Sequence, residues 1–456
     1  KITIGSGVSQ EEADSIFSQL YIEYCVKRML KNLDNNGEIE TASSNIQYST
    51  QPTTNDKDYD KVYSGVVGDC NWKLNTSSGE LVITGTGKAV LNDDVNSAPW
   101  ESLKNNIKIA KLEKGVNKIG EELFYECNNL ENVIFSDTLI EIEPFAFNSC
   151  DKLVNIYLPK NVEKFYGNSF FNCNSIEHIY LDKENQNYIV KDDVLYDKNK
   201  TKLIYYCTNK RDATFVLPSS VTSVENYSFY HSFNLINVEL STNTVNIGDY
   251  AFNHCNQLKK IYNTENLNTI GKCSFAICES LECIDLPETL LSIPDSAFYS
   301  CKNLKLIKIP NSVTQIGRSA FSFDTSLEKV YIGDKVKLID FYAFEYCKNL
   351  STVEISKNVT GMSIERAAFF HCPKLKSIFI PKGVTNIYSK GNVRLRPFGY
   401  MYDFDSTEQD YKKVDDFTIY GYDNSDAVRY ALYADLNFVS LGKTPNRFNY
   451  KVKEDN

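Results

Sequence analysis

The sequence predicts an α/β solenoid of about ten stacked 23-residue coils, each giving one short strand to a parallel sheet. Three observations predict it. Phe124, Phe147 and Phe170 are 23 residues apart, and Phe229, Phe252, Phe275, Phe298, Phe321 and Phe344 repeat the interval, with Phe369 following after 25. Each Phe is usually preceded by Ala or Ser and followed three residues on by Cys, as in Ala146-Phe147-Asn148-Ser149-Cys150 and Ala297-Phe298-Tyr299-Ser300-Cys301. A Leu and an apolar pair two apart then close the unit, often before Pro: Leu153, Ile156, Leu158, Pro159 in one coil and Leu304, Ile307, Ile309, Pro310 in another.

Within a coil, the Ile-x-Leu part reads as the strand because its apolar residues alternate. Pro ends it in a turn, a Val-x-x-Ile stretch runs extended, and Ala-Phe sits on a single helical turn. No coil can bury its apolar side alone, so Leu, Ile, Phe and Cys are expected to stack on their equivalents in the next coil. At the ~4.8 Å strand spacing of a sheet, ten coils make a body about 50 Å long.

This unit resembles the BspA-like (treponemal-type) leucine-rich repeat, over roughly residues 108–381. The resemblance implies a curved, right-handed leucine-rich-repeat solenoid with its parallel sheet on the concave face. It also implies a secreted or surface-anchored protein of the kind found in mucosal anaerobic bacteria and some mucosal protozoa, where such proteins bind host or bacterial surface molecules. No enzymatic chemistry comes with it.

One interval departs from the period. Phe170 to Phe229 is 59, or 23 plus 36, which predicts an insertion of about 36 residues near 182–217. Tyr188-Ile189-Val190, Asp193 to Asp197 and Lys202 to Tyr206 read there as two or three short strands joined by polar turns. A similar strand-rich insert is common among BspA-like repeats, and the segment reads as an enlarged coil, with a functional protrusion as the alternative.

The flanks complete the organisation. Ser9-Gln10-Glu11-Glu12 reads as a capping box, with Ala13, Ile16, Phe17, Leu20 and Tyr24 at helical spacing, so residues 1–33 form a helical segment. Residues 34–62, rich in Ser, Thr and Asn, read as a linker. Residues 63–107 alternate as a β N-cap that shields coil one with Trp72 and Trp100, since an uncapped solenoid exposes an apolar end and a sheet edge. Residues 382–442, with a helix from Asp426 to Leu436, read as a C-terminal cap, and 443–456 as a tail or a link to an anchor. The chain opens at Lys1 without a charged, then apolar, leader, so a signal peptide is read as removed or lying outside the sequence.

Composition excludes several classes. At 42% hydrophobic, 24% charged and 13% aromatic the chain is not disordered by composition, and no apolar run reaches the ~18 residues of a spanning helix. With 49 basic against 59 acidic residues, the net charge of −10 and the absence of a basic block disfavour nucleic acid.

Candidate chemistry is sparse. Cys127, Cys150, Cys173, Cys255, Cys278, Cys301, Cys347 and Cys372 share one repeat position, which Ser232 and Asp324 fill elsewhere. Equivalent thiols on successive coils read as small buried hydrophobes, reduced and inert, because metal ligands must converge from different directions. Cys273, Cys278 and Cys283 are spaced by five, yet Cys278 belongs to the ladder and Cys283 falls on an outward strand position. No metal or cofactor is expected. His231, His254 and His371 precede the Cys-position residue and read as surface imidazoles, while His178 lies on a strand; no nucleophile accompanies them in a triad. Gly85-Thr86-Gly87-Lys88 lacks the full phosphate-loop pattern and reads as a hairpin turn.

The strand faces carry the functional signal. The residue between the two apolar strand positions points outward, giving the column Ile134, Tyr157, Tyr180, Glu239, Tyr262, Asp285, Lys308, Tyr331, Glu354, Phe379. Two residues earlier runs a second column that includes His178 and Lys260. Tyr is a good strand residue, so the column reads either as strand propensity or as recognition. The candidate partner-binding residues are Tyr157, Tyr180, His178, Lys260, Tyr262, Tyr331 and Phe379. The expected function is a non-enzymatic extracellular or cell-surface protein that binds a protein partner, such as a host matrix or surface protein, in adhesion. The alternative is a carbohydrate-binding or passive spacer module of a larger surface protein.

Overall fold

The computed structural model describes residues 61–91, 97–390, 393, 396–403 and 411–443. The helix expected before residue 34, most of the linker and the tail after 443 lie outside the described residues.

Most coils run through two strand segments and one turn, and the coil of Phe275 keeps only single bridges at Thr269 and Cys283. The first segment lies in a parallel row on one face. Ile109–Leu112 pairs with Asn132–Ile134, Asn155–Leu158 with His178–Leu181, Thr214–Val216 with Asn237–Glu239, and Leu306–Ile309 with Lys329–Ile332. Partners are one repeat apart, as in Lys308↔Tyr331, so the register copies the sequence period. Alternation then puts Ile307, Ile309, Val330 and Ile332 inside. The second row comes from the Val-x-x-Ile stretches, for example Ser292–Ile293 on Gln315–Ile316 on Leu338–Ile339.

The turn that carries Phe is not helical. Its residues close i to i+3 bonds, such as Cys301 N–H to Phe298 O, and between these the backbone bonds outward to the next coil. Around Phe298, the N–H groups of Ser296, Phe298 and Ser300 donate to Arg318, Ala320 and Ser322. Reaching those acceptors turns Ser296 and Ser300 left-handed, at φ of 53° and 60°, and most other coils show the same pair. A left-handed residue other than Gly costs ~1–2 kcal/mol, and the cross-coil bonds offset it. A sequence pattern of Ala-Phe cannot distinguish this turn from one turn of helix, because the difference lies in bonds to a chain 23 residues away.

Inside, the Phe rings stack in two runs, Phe124 to Phe170 and Phe229 to Phe369. Phe275, Phe298, Phe321, Phe344 and Phe369 follow one another at centroid distances of 5.3, 5.2, 5.1 and 5.0 Å, nearly parallel. At the amino end Trp100 continues the stack, 5.7 Å from Phe124, and Trp72 meets it edge-on at 5.6 Å. Val62–Val67, Cys70–Asn75 and Glu80–Gly85 form an antiparallel sheet whose last strand pairs in parallel with Ile109–Leu112, so the strand row continues into this sheet. The 85–88 segment is a corner between the two strand rows rather than a hairpin: Gly87 starts the second row beside Val116. A Cβ on Gly87, at φ of 127°, would meet Asp69 Oδ2 at 2.6 Å, and that carboxylate accepts the Lys88 N–H at 3.1 Å.

At the other end Ser377–Phe379 pairs with Thr418–Gly421, which pairs with Asn437–Ser440 across the helix Asp426–Ala434. The strand row therefore runs past residue 381.

The long interval is an enlarged coil, as the sequence suggests, but its extra length is smaller than the expected 36 residues. His178 to Thr214 is one enlarged coil of 36 residues, 13 more than the 23-residue repeat (36 − 23). Its extra length is the hairpin Tyr188–Lys191 and Val194–Asp197; Lys202–Tyr206 pairs antiparallel with that hairpin and in parallel with Ser223–Val224, as the coil's own strand in the second row. The ring of Tyr206 lies 4.9 Å from Phe229 and takes the place a Phe holds in other coils. No coil is skipped, and Val216 joins the outward column between Tyr180 and Glu239.

Candidate functional site

The outward column runs in blocks of paired strands, with side chains held in register inside each block. Tyr157 and Tyr180 are directly opposed on paired strands, and their rings stack 4.6 Å apart with planes 13° from parallel. They remain 54% and 44% exposed, and Ile134 beside them is 50% exposed. His178 sits on the same strand as Tyr180, 6.0 Å from its ring, with Nδ1 3.1 Å from Asp193 Oδ1. The enlarged coil supplies that aspartate, so it orients the imidazole beside the tyrosine pair.

Further along, the Lys260 ammonium lies 4.6 Å over the ring of Tyr262, which is 38% exposed. A cation over an aromatic face shields part of that ring and fixes the lysine. Tyr331 is half-buried between Lys308 and Glu354 in register. Phe379 is half-buried as well, 6.4 Å from Tyr422. The fold thus brings Tyr157, Tyr180 and His178 together, makes a second pair of Lys260 and Tyr262, and sets Tyr331 and Phe379 apart from both. Val216, 58% exposed, belongs to the same column and was missed. Its signal was Thr214-Phe215-Val216-Leu217-Pro218, which repeats the strand-before-proline pattern of the other coils.

Beyond Leu181 the strand face opens into a shallow groove of about 400 Å³. Residues 179–181 line one side and residues 188–190 of the enlarged coil line the other, with Asp182, Lys183 and Lys198 at the mouth.

The histidines of the turn wall require a correction. His231, His254 and His371 are not surface imidazoles: they sit at the left-handed position two residues after the ring of the stack and fold back among aromatic neighbours. The His231 ring lies 4.2 Å from Tyr230 and 4.6 Å from His254, and His371 stacks on Tyr346 at 4.4 Å. Burial pushes the His231 imidazole well below its usual range, helped by His254. Burial also lowers His254 to about 4 against a partial rise from Glu279, and lowers His371 to about 4 with Lys348 adding to the effect. His371 Nδ1 accepts the Tyr402 N–H at 3.0 Å, which requires the neutral ring.

The thiols face inward as a row. Cys301 Sγ lies 3.2 Å from Phe275 O in the preceding coil, and Cys150, Cys173, Cys255, Cys278, Cys347 and Cys372 repeat the contact. The thiol is therefore a small apolar group that also donates weakly to a turn carbonyl. Cys278 is buried in this row while Cys283 is exposed on the strand face, so the two do not converge. Among the described residues no group of three His, Cys, Asp or Glu side chains is placed to hold a metal ion.

This architecture defines a leucine-rich-repeat protein, and the chain belongs to the BspA-type leucine-rich-repeat family: the BspA type leucine rich repeat region (6 copies) matches residues 101–211, 201–285 and 268–391. A leucine-rich repeat protein from Eubacterium ventriosum has a similar fold, with 22% identity and a TM-score of 0.51 over 72% of this chain and 94% of its own. A leucine-rich repeat protein from Bacteroides ovatus matches at 18% identity and a TM-score of 0.45, over 83% of this chain and 100% of its own. A leucine rich cell surface protein from Faecalibacterium prausnitzii matches at 20% identity and 0.38, over 64% and 95%. No curated protein matches the chain. Among the described residues no helix is long and apolar enough to cross a membrane.

Proposed function

We propose that this chain is a non-enzymatic recognition module, displayed outside the cell or on its surface, that binds a protein partner through its strand face. The carrying observation is the adjacent row Ile134, Tyr157 and Tyr180, three large apolar side chains on successive coils, each about half exposed. Val216, Tyr262, Leu306 and Tyr420 extend the exposed apolar character along the same face. Contiguous exposed apolar surface with polar neighbours marks interaction sites, and rigid aromatics contribute most there because they lose little side-chain entropy. A protein is favoured over a glycan because Ile134, Val216 and Leu306 are aliphatic. A sugar can stack on the tyrosines, whereas exposed aliphatic side chains call for an apolar counterpart. Surface display is the setting that membership of the BspA-type family supports; adhesion to a host or bacterial surface is the role this fits.

The test replaces Tyr157, Tyr180, Tyr262 and Tyr331 together by Ser. The variant should keep its circular dichroism and melting transition yet lose binding in a screen against host-matrix and surface proteins that the parent passes. A glycan array run in parallel separates the carbohydrate alternative. Full protein binding by the folded variant moves the site off this face.

A further inference from the structure

We infer that the groove beyond Leu181 is a strand-addition site, where an extended, acid-bearing peptide segment of the protein partner pairs with the free edge of His178–Leu181. The inference rests on the strand-face reading above and names how the partner is held.

The backbone supports it. His178 N–H donates to Val154 O and Asp182 N–H to Leu158 O, at 3.2 and 2.9 Å, so the even-numbered residues of this strand bond back to Asn155–Leu158. Ile179 and Leu181 then turn their N–H and C=O groups to the other side. In a regular coil the next strand would meet them. Here the chain leaves into the enlarged coil, and no strand among the described residues pairs with that side. The ladder also lapses after Ile134 and after Tyr262, where Asn155–Leu158 and a single bridge from Lys260 to Cys283 keep the next coil alongside. After Leu181 the nearby strand is Tyr188–Lys191, which stands alongside without pairing and leaves the groove between.

The opposite wall has the same character. Tyr188–Lys191 is the edge strand of its sheet, paired only with Val194–Asp197. An entering chain therefore meets unpaired backbone on one wall, half-buried Ile189 and Val190 on the other, and the Tyr157–Tyr180 stack at the side. The free edge spans four residues, about 13 Å at ~3.3 Å each, which sets the length of the paired segment. Alternating N–H and C=O groups on an edge are matched by another extended backbone, the ordinary basis of strand addition.

Charge selects among peptides. Lys183 and Lys198 stand at the mouth without an ion pair among the described residues, and Lys198 donates to Asn185 O at 3.1 Å. Asp182, the one carboxylate in the lining, is occupied by the Glu184 N–H at 2.7 Å. Two ammonium groups against one engaged carboxylate, on a chain of net charge −10, favour an acidic side chain in the occupant.

The probe is a displayed library of random linear peptides selected on the whole chain. Enriched peptides should carry Asp or Glu and lose affinity on charge reversal of Lys183 and Lys198. Leu181→Pro removes one edge N–H at a site where a strand tolerates Pro, and should weaken the selected peptide about tenfold or more. Because that variant also loses some packing, the parent protein supplies a second readout. Backbone N-methylation of the peptide should weaken it equally, and the Ile179 and Leu181 amides should gain exchange protection when it binds. Peptide binding that survives both Leu181→Pro and N-methylation but fails in Tyr157→Ser/Tyr180→Ser overturns edge pairing and leaves strand-face recognition standing. Failure to enrich any peptide overturns the peptide occupant, while the partner screen above still decides the broader reading.

Discussion

The backbone N–H of Cys301 lies 2.7 Å from Oδ1 of Asp324, at the position where neighbouring coils carry a thiol. Asp324 is fully buried and its Oδ2 has no hydrogen-bond partner among the described residues. Burial raises its carboxyl well above the ordinary range, against the lowering effect of the Cys301 N–H. The folded protein therefore holds a proton that the unfolded chain releases above ~4. Stability from this group is present at acid pH and declines as pH rises from ~4 towards the raised folded value. Asp324→Cys restores the thiol and removes the unsatisfied oxygen. It should stabilise by about 1–3 kcal/mol at neutral pH, with a larger gain in urea midpoint at pH 8 than at pH 4. The reverse order would contradict a neutral buried Asp324.

The imidazoles of the turn wall act in the opposite sense. His254 and His371 are held to about 4, and His231 is lowered too, whereas the unfolded chain titrates near ~6.5. Stability from these groups is full above ~6.5 and is lost as pH falls towards 4, since the unfolded state then binds more protons. His254→Asn and His371→Asn keep a residue type that accepts the left-handed backbone. Urea midpoints measured from pH 7.5 to 4.5 should fall less steeply in these variants than in the parent; equal slopes would place the acid sensitivity elsewhere.

Phe298 is fully buried in the ring stack, between Phe275 at 5.3 Å and Phe321 at 5.2 Å. Phe298→Ala should cost about 3–5 kcal/mol, because stacked coils on both sides limit collapse of the cavity. Chemical denaturation reads this directly, and an unchanged midpoint would remove the rings from the core.

Thiol reactivity should divide by position. Burial raises Cys127 and Cys255 to about 12 and Cys150, Cys278, Cys301 and Cys347 well above their ordinary value, so little thiolate exists at pH 8. Cys283 is exposed. Titration of native protein with a thiol reagent should find few fast groups, Cys283 among them. At least eight more should appear on denaturation without reductant; their absence would indicate disulfides.

Much of the architecture was legible before any coordinates because a solenoid writes its tertiary contacts as a covalent period. Residues one repeat apart stack, so the spacing of Phe275, Phe298 and Phe321 is also the list of their neighbours. Two-residue alternation likewise assigned Ile307 and Ile309 inward and Lys308 outward. The long interval was harder. Tyr206 stands in for Phe, and the adjacent coil alone identifies it, through the ring of Phe229.

Local pattern determined the repeat, the register of the strand row and the face of each strand residue, since those depend on spacing along one chain. Tertiary structure decided what lies against each position. The left-handed turns exist because their N–H groups reach the next coil. His371 is buried and His231 and His254 are half-buried because aromatic rings on neighbouring coils cover them. The Tyr157–Tyr180 stack has open space beside it because the chain leaves the strand row after Leu181. These outcomes rest on residues brought near by the coil above or below, and no single repeat carries them.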